Sequence, residues 1–276
     1  MRRLIDRCRN SLAVRIVGAF GESQAPNYAS ALAFAGFLAM FPMSLGALSI
    51  VGLAIRDPGT EARFQTLILQ MFPASAQPEL VNAIHGVKQS AGWMGLVSLV
   101  GLLWAAVGIF STLEFAFSQI FGTKKRSLVR QKLMGLLMML LLVAAIAITV
   151  GANAIAAFLP YAWVTSFLVG ATVMVALLAF LYRFVPNRRF KVRDVMPGAV
   201  LAGVLIEVLS LGFPIYARIA GGFNTYGAQF GLFFLLATWL YLLSELILLG
   251  AVYNRVRLEQ PATATKVKRR ERRMVT

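Results

Sequence analysis

Three carboxylic acids stand inside long apolar stretches of the chain: Glu114, Glu207 and Glu245. A charge in hydrocarbon is costly, so acids placed this way face a bundle interior, pair with a partner, or mark a path for protons or polar groups. Helical spacing gathers other small and polar residues around them. Gly203, Glu207, Ser210 and Pro214 fall on one helix face, and Thr238, Tyr241 and Glu245 on another. Gly101, Trp104, Gly108, Ser111 and Ser118 form a stripe with Glu114 at its edge. Small residues let helices approach and polar ones bond across the contact. The pattern predicts a polar seam between the second, fifth and sixth apolar segments. Arg183, at the end of the fourth, is the candidate counter-charge. Two readings stay open: a path handling protons or headgroups, or acids that serve as protonated or hydrogen-bonded packing contacts. Pro42 and Pro214 each free a carbonyl inside a helix and are candidate hinges.

Other chemistry is poorly provided for. One cysteine, Cys8, excludes a disulfide framework, and one histidine, His85, excludes most histidine-built metal sites. The chain has no Gly-rich phosphate loop ahead of a helix, no paired cysteines and no His-x-x-x-His. No metal, cofactor or catalytic residue is expected, and an enzyme is not the reading. Without a nucleotide-binding motif, any transport would draw on a gradient or on mass action.

The elements that must position these residues follow from composition. Of 276 residues, 59% are hydrophobic and 14% charged, with a mean hydropathy of +0.74. Soluble domains average roughly 45–50% apolar and about 25% charged. Disorder is excluded by the same numbers. A membrane helix needs roughly 20 mostly apolar residues. Six stretches qualify, predicted at about 29–55, 93–121, 133–158, 163–182, 195–217 and 228–252. The expectation is an all-α polytopic membrane protein with six transmembrane helices. At 1.5 Å per residue, Glu207 lies roughly 18 Å from the start of the fifth span, and Glu114 and Glu245 roughly 10 Å from the other ends of theirs.

The net charge of +16 looks at first like a nucleic-acid signal. Mapped along the chain it becomes a sidedness. The N-terminus, the second and fourth connections and the C-terminal tail hold 23 of the 27 Lys and Arg, and the alternate connections hold 4. Basic residues near helix ends stay cytoplasmic, so both termini are expected inside. This accounts for the charge without nucleic acid. Lys124, Lys125, Arg126, Arg188 and Arg189 are the candidate contacts to anionic headgroups of membrane lipids on the cytoplasmic leaflet. Whether the protein forms an oligomer is not legible.

Three parts are expected: residues 1–28 as a cytoplasmic amphipathic segment, 29–252 as the membrane domain, and 253–276 as a basic cytoplasmic tail. Ile5, Cys8, Leu12 and Ile16 recur at helical spacing among arginines, which suits a helix lying on the membrane surface. The outer loop 56–91 carries two amphipathic stripes, Phe64, Leu67, Ile68 and Met71, then Leu80, Ile84 and Val87, predicting two short helices. The basic, apolar-poor tail after Pro261 reads as disordered and lipid-facing. Ala31-Leu32-Ala33 opens an apolar run instead of closing it, so the first span is expected to be retained.

A set of short motifs runs along the chain: Ser30-Ala31-Leu32-Ala33-Phe34 with Phe41-Pro42, then Trp104, Glu114 and Ile120-Phe121-Gly122, then Tyr182-Arg183-Phe184-Val185-Pro186-Asn187. It continues through Asp194-Val195-Met196-Pro197-Gly198, Glu207, Tyr226-Gly227, Trp239-Leu240-Tyr241, Gly250-Ala251 and Asn254. In these motifs, spread over most of its length, the chain resembles the YihY/virulence factor BrkB family of bacterial inner-membrane proteins. Two departures stand out. The Tyr226–Gly231 stretch is one residue longer than the usual pattern, and Val252 stands where the family often has an acid. Glu245 lies seven residues earlier, close to two turns and so on nearly the same face. The resemblance implies a six-helix membrane fold and a role in the cell envelope. Family members have also carried a ribonuclease label, which the lack of catalytic groups argues against. Movement of an anionic envelope lipid or amphiphile is the expectation most compatible with a polar seam beside basic loops. A structural or interaction role in the envelope is the alternative.

Overall fold

The computed structural model describes residues 12–54, 77–123, much of 131–151, 162–188, 190–221 and 228–274. Every regular element among them is helical. The helices are α1 (Leu12–Glu22), α2 (Ala25–Ala54), α3 (Gln77–Phe121), α4 (Ala162–Phe184), α5 (Val192–Gly221) and α6 (Ala228–Met274). Between α3 and α4 the described residues of 131–151 are helical too. Among the described residues, five segments are long and apolar enough to cross a membrane: Ala25–Gly46, Gly95–Phe121, Val164–Phe184, Val192–Ile215 and Phe233–Glu259. They coincide with five of the six predicted spans. The remaining one, at 133–158, falls partly outside the described residues.

The helix ends are local and sequence-driven. Ser23 and Gln24 separate α1 from α2, with Gln24 in the left-handed region at φ 57°. Pro26 then sits in the first turn of α2, where a missing N–H costs nothing. Gly122, at φ 62°, ends α3, and the Thr123 amide donates back to the Ser118 carbonyl at 2.9 Å. This is a Schellman ending, which requires a residue tolerant of positive φ after Ile120-Phe121. At the start of α5 the Lys191 amide donates to Asp194 Oδ2 at 3.1 Å, and the Asp194 amide to the Lys191 carbonyl at 2.9 Å. Asp194 thus serves as the returning half of a capping box and places an acid at the positive helix end.

Two expectations change. Residues 77–91 are not a separate short helix: α3 runs unbroken from Gln77 to Phe121. No breaker separates Leu80, Ile84 and Val87 from the apolar run that follows. The first stripe, Phe64 to Met71, lies outside the described residues. The tail is not irregular either, since α6 continues through Pro261 to Met274. Its Ala, Lys, Arg and Glu are strong helix formers, and Arg255 pairs with Glu259 one turn on at 2.9 Å. In the N-terminal segment Leu12 and Ile16 fall on α1, while Ile5 and Cys8 lie outside the described residues.

The chain forms two compact units. One comprises Met1–Leu32, Phe110–Gly212 and Tyr241–Thr276; the other comprises Ala33–Ile109 and Phe213–Leu240. The second unit is knit by aromatic and small-residue contacts. Phe37 meets Phe233 at 4.9 Å between ring centroids, and Phe213 meets Trp239 at 4.6 Å. Gly101 of α3 lies so close to Pro42 of α2 that a methyl group there would come within 2.8 Å of the proline ring. The largest fully buried side chains among the described residues lie in the first unit, including Phe117, Ile120, Leu178, Tyr182, Val185, Val195, Leu248 and Val252.

Candidate functional site

The most constrained polar cluster lies in the first unit, where α4, α5 and α6 converge. Asn254 of α6 is fully buried. Its Nδ2 donates to the Val195 carbonyl at 2.9 Å, and its Oδ1 accepts from the Gly198 amide at 2.7 Å. One side-chain amide therefore holds the first turns of α5 through both its donor and its acceptor. The Tyr182 hydroxyl, at the end of α4, donates to the Ile247 carbonyl of α6 at 2.7 Å. Glycines make this convergence possible. A Cβ at Gly198 would collide with the Gly250 carbonyl oxygen and the Asn254 amide. One at Gly250 would collide with the Tyr182 hydroxyl and come within 2.7 Å of the Gly198 oxygen. Backbone meets backbone here, so no side chain can swing aside to make room.

Aromatic rings seal the cluster. Phe117 of α3 packs edge-on against Tyr182 at 5.6 Å, Phe121 meets Phe190 at 5.0 Å, and Tyr28 of α2 meets Phe115 at 5.3 Å. Val185 and Pro186, between α4 and α5, are buried, and the chain turns where the Arg188 amide donates to the Pro186 carbonyl at 2.7 Å. Around this turn Arg183, Arg188, Lys191 and Arg193 are exposed. Arg183 and Arg188 lie over the rings of Phe184 and Phe190, at 5.2 and 5.3 Å from the ring centroids. Cations stacked on rings keep their charge in water while their stems cover apolar surface.

The acids are distributed differently from the predicted seam. Glu114 is buried, at 3% exposure, one turn before the buried Phe117 and Ser118 of α3. Glu245 accepts a hydrogen bond from the Tyr241 hydroxyl at 2.6 Å, an i, i+4 pair on α6. Glu207 turns toward α4: a Cβ at Gly170 would lie 2.5 Å from its Oε1 and 2.9 Å from its Cδ. The side chain occupies the gap that glycine leaves. One turn earlier on α5, Gly203 packs on Val175 of α4 with similar closeness. The neighbour of Glu207 is therefore the fourth span, which the predicted seam does not include. Helical phase groups residues by face, and it carries no information about which helix a face meets.

Most of the other predicted site residues are exposed or lie outside the described residues. Ser210 is exposed and donates to its own helix, to the Ile206 carbonyl at 2.9 Å. Pro214 and Thr238 are exposed. Trp104, expected on the inward stripe of the second span, is 72% exposed, and a methyl group added at Gly108 would meet nothing within 4 Å. Among the described residues Arg183 makes no ion pair with Glu114, Glu207 or Glu245. Both proline-bearing helices continue through their prolines, α2 past Pro42 to Ala54 and α5 past Pro214 to Gly221. Lys124, Lys125, Arg126 and Arg189 lie outside the described residues. Among the described residues no group of three or more His, Cys, Asp or Glu is placed to hold a metal.

Sequence reasoning did not assign a site role to Tyr182, Gly198, Gly250 or Asn254. The available signal was an asparagine one turn beyond a Gly-Ala pair at the end of an apolar run. A polar side chain there has to find partners, and a glycine nearby lets a second backbone supply them.

A family model described as "Virulence factor BrkB" matches residues 16–274. A UPF0761 membrane protein of Pseudomonas aeruginosa strain LESB58 is 28% identical over 243 residues, covering 84% of this chain and 59% of that protein. A UPF0761 membrane protein of Azoarcus sp. strain BH72 is 26% identical over 265 residues, covering 87% of this chain and 62% of the relative. One from Chromobacterium violaceum is 27% identical, covering 81% and 56%. The chain thus spans about six tenths of the length of the curated relatives it matches. No solved structure matches it.

Proposed function

The chain belongs to the virulence factor BrkB family, and from that premise we propose that it is a bacterial inner-membrane transporter of flippase type, moving an anionic envelope lipid or amphiphile. The reading takes the membrane domain as six spans with both termini cytoplasmic, and takes the protein as non-enzymatic. The observation that carries it is Glu207. Its carboxyl lies against Gly170, between two helices long and apolar enough to cross a membrane, and among the described residues no cation pairs with it. An acid retained at such a cost is a functional group by default. Glu245 with Tyr241, and buried Glu114, add polar groups within the same compact unit. The exposed Arg188, Lys191 and Arg193 supply a surface that attracts anionic headgroups. A second reading, a structural or interaction protein of the envelope, is favoured by the Tyr182–Asn254 cluster, which ties three helices together at one end.

Reconstitution separates the two. The full chain is placed in phosphatidylcholine vesicles containing a trace of fluorescent phosphatidylglycerol, and dithionite quenching reads the lipid's passage between leaflets. The transport reading expects wild-type protein to accelerate passage over empty vesicles and Glu207→Gln to slow it. Passage equal to that in empty vesicles defeats the reading.

A further inference from the structure

We propose that Glu207 is a proton-binding site opening sideways to the hydrocarbon of the bilayer, with Gly170 as the residue that makes room for its carboxyl. This deepens the transport reading by naming the coupling ion at its central acid, and it rests on that reading only for its use, not for its existence.

Three observations place it. Glu207 is half-buried and lies about 8 residues, roughly 12 Å, from the Ile215 end of its span and roughly 22 Å from Val192. The surface around it is apolar and exposed on both helices: Val204, Val208 and Leu211 of α5 and Leu168 of α4. Among the described residues its carboxyl has no hydrogen bond and no ion pair. Among the described residues, charged groups lie well along each helix from Glu207. On α4 the residues near Gly170 are Thr165, Ser166 and Thr172, and Arg183 lies 13 residues away, about 20 Å. On α5 itself Arg193 and Asp194 are as distant, Arg218 lies 11 residues further along the helix, about 16 Å, and Glu245 of α6 is engaged by Tyr241. Hydrocarbon supplies no donor to a carboxylate, so only the neutral acid is at home on this face. A carboxyl that takes up a proton there and releases it on meeting water or a headgroup is a carrier of that proton.

Such a group has a chemical signature. A protonated carboxyl in an apolar setting adds its O–H across one C=N bond of a carbodiimide. The carboxyl oxygen bonds to the central carbon and the proton goes to nitrogen, giving an O-acylisourea. Migration of the acyl group from oxygen to the second nitrogen yields a stable N-acylurea, with no leaving group and no oxidant.

The test uses the full chain in bilayers of phosphatidylethanolamine and phosphatidylglycerol, treated with dicyclohexylcarbodiimide or with a water-soluble carbodiimide, and read at each acid by peptide mass spectrometry. Glu207 should be modified about tenfold faster or more by the hydrophobic reagent, and faster than buried Glu114. Gly170→Ala should change the rate at Glu207 severalfold, because its methyl group displaces the carboxyl, while leaving Glu245 at its wild-type rate. Preferential modification by the water-soluble reagent would show a solvated carboxylate and overturn the proposal, and so would no modification by either. Modified Glu207 in a protein that moves no lipid keeps the proton site and removes the transport reading. Lipid movement with an unreactive Glu207 does the reverse.

Discussion

Replacing Asn254 by alanine is the sharpest probe of how this fold is held. The side chain is fully buried and makes two bonds to α5, at 2.7 Å to the Gly198 amide and 2.9 Å to the Val195 carbonyl. Each buried hydrogen bond contributes about 1 kcal/mol net. Removing the side chain from a site walled by Gly198 and Gly250 backbone adds about 1 kcal/mol for a cavity that cannot collapse. The sum is about 3 kcal/mol. At roughly 2–4 °C per kcal/mol for a chain of this size, Tm should fall by about 6–12 °C. The assay is thermal unfolding in lipid nanodiscs followed by tryptophan fluorescence, with exposed Arg257→Ala as the neighbouring control. Asn254→Asp sharpens the logic. It keeps an acceptor for the Gly198 amide but turns an oxygen toward the Val195 carbonyl, so it should be no more stable than the alanine variant. A Tm for Asn254→Ala indistinguishable from that of Arg257→Ala would refute the assignment of this amide as the tie between α5 and α6.

Gly198→Ala should fail to give a folded protein, whereas Gly212→Ala, with open space around it, should be tolerated and gain up to about 1 kcal/mol from helix propensity; yield after size-exclusion chromatography reads both. Tyr182→Phe removes one bond to the Ile247 carbonyl while keeping the ring on Phe117, and should lower stability by about 1 kcal/mol in the same melting assay. Arg255→Ala breaks a surface i, i+4 pair and should shift Tm by no more than about 2 °C, since such pairs contribute roughly 0.3–0.5 kcal/mol.

The elements were legible because they are local. Five of the six predicted spans coincide with helices long and apolar enough to cross a membrane, since hydropathy over some twenty residues is a property of the segment itself. The ends at Gly122 and Asp194 are just as local, since a left-handed glycine and a returning acid act within one turn, although the caps themselves were not read from the sequence. The long continuations were less legible. No breaker separates residues 77–92 from the span that follows, and periodicity alone does not say where one helix stops and the next begins. The tail's low apolar content suggested irregular chain, but its helix-forming residues carry α6 on to Met274.

The sequence by itself determined which acids lie inside long apolar segments, where the positive charge gathers, and which residues share a helical face. Only the tertiary structure decided what each face meets. Glu207 went to Gly170 on the fourth span, Ser210 and Trp104 went outward, and Tyr182, Gly198, Gly250 and Asn254, up to 72 residues apart in sequence, came together. The physical reason is that a helix fixes the angular position of its side chains through its own hydrogen bonds. The choice of neighbour is made where two backbones can approach, and glycine marks those places only when the partner is known.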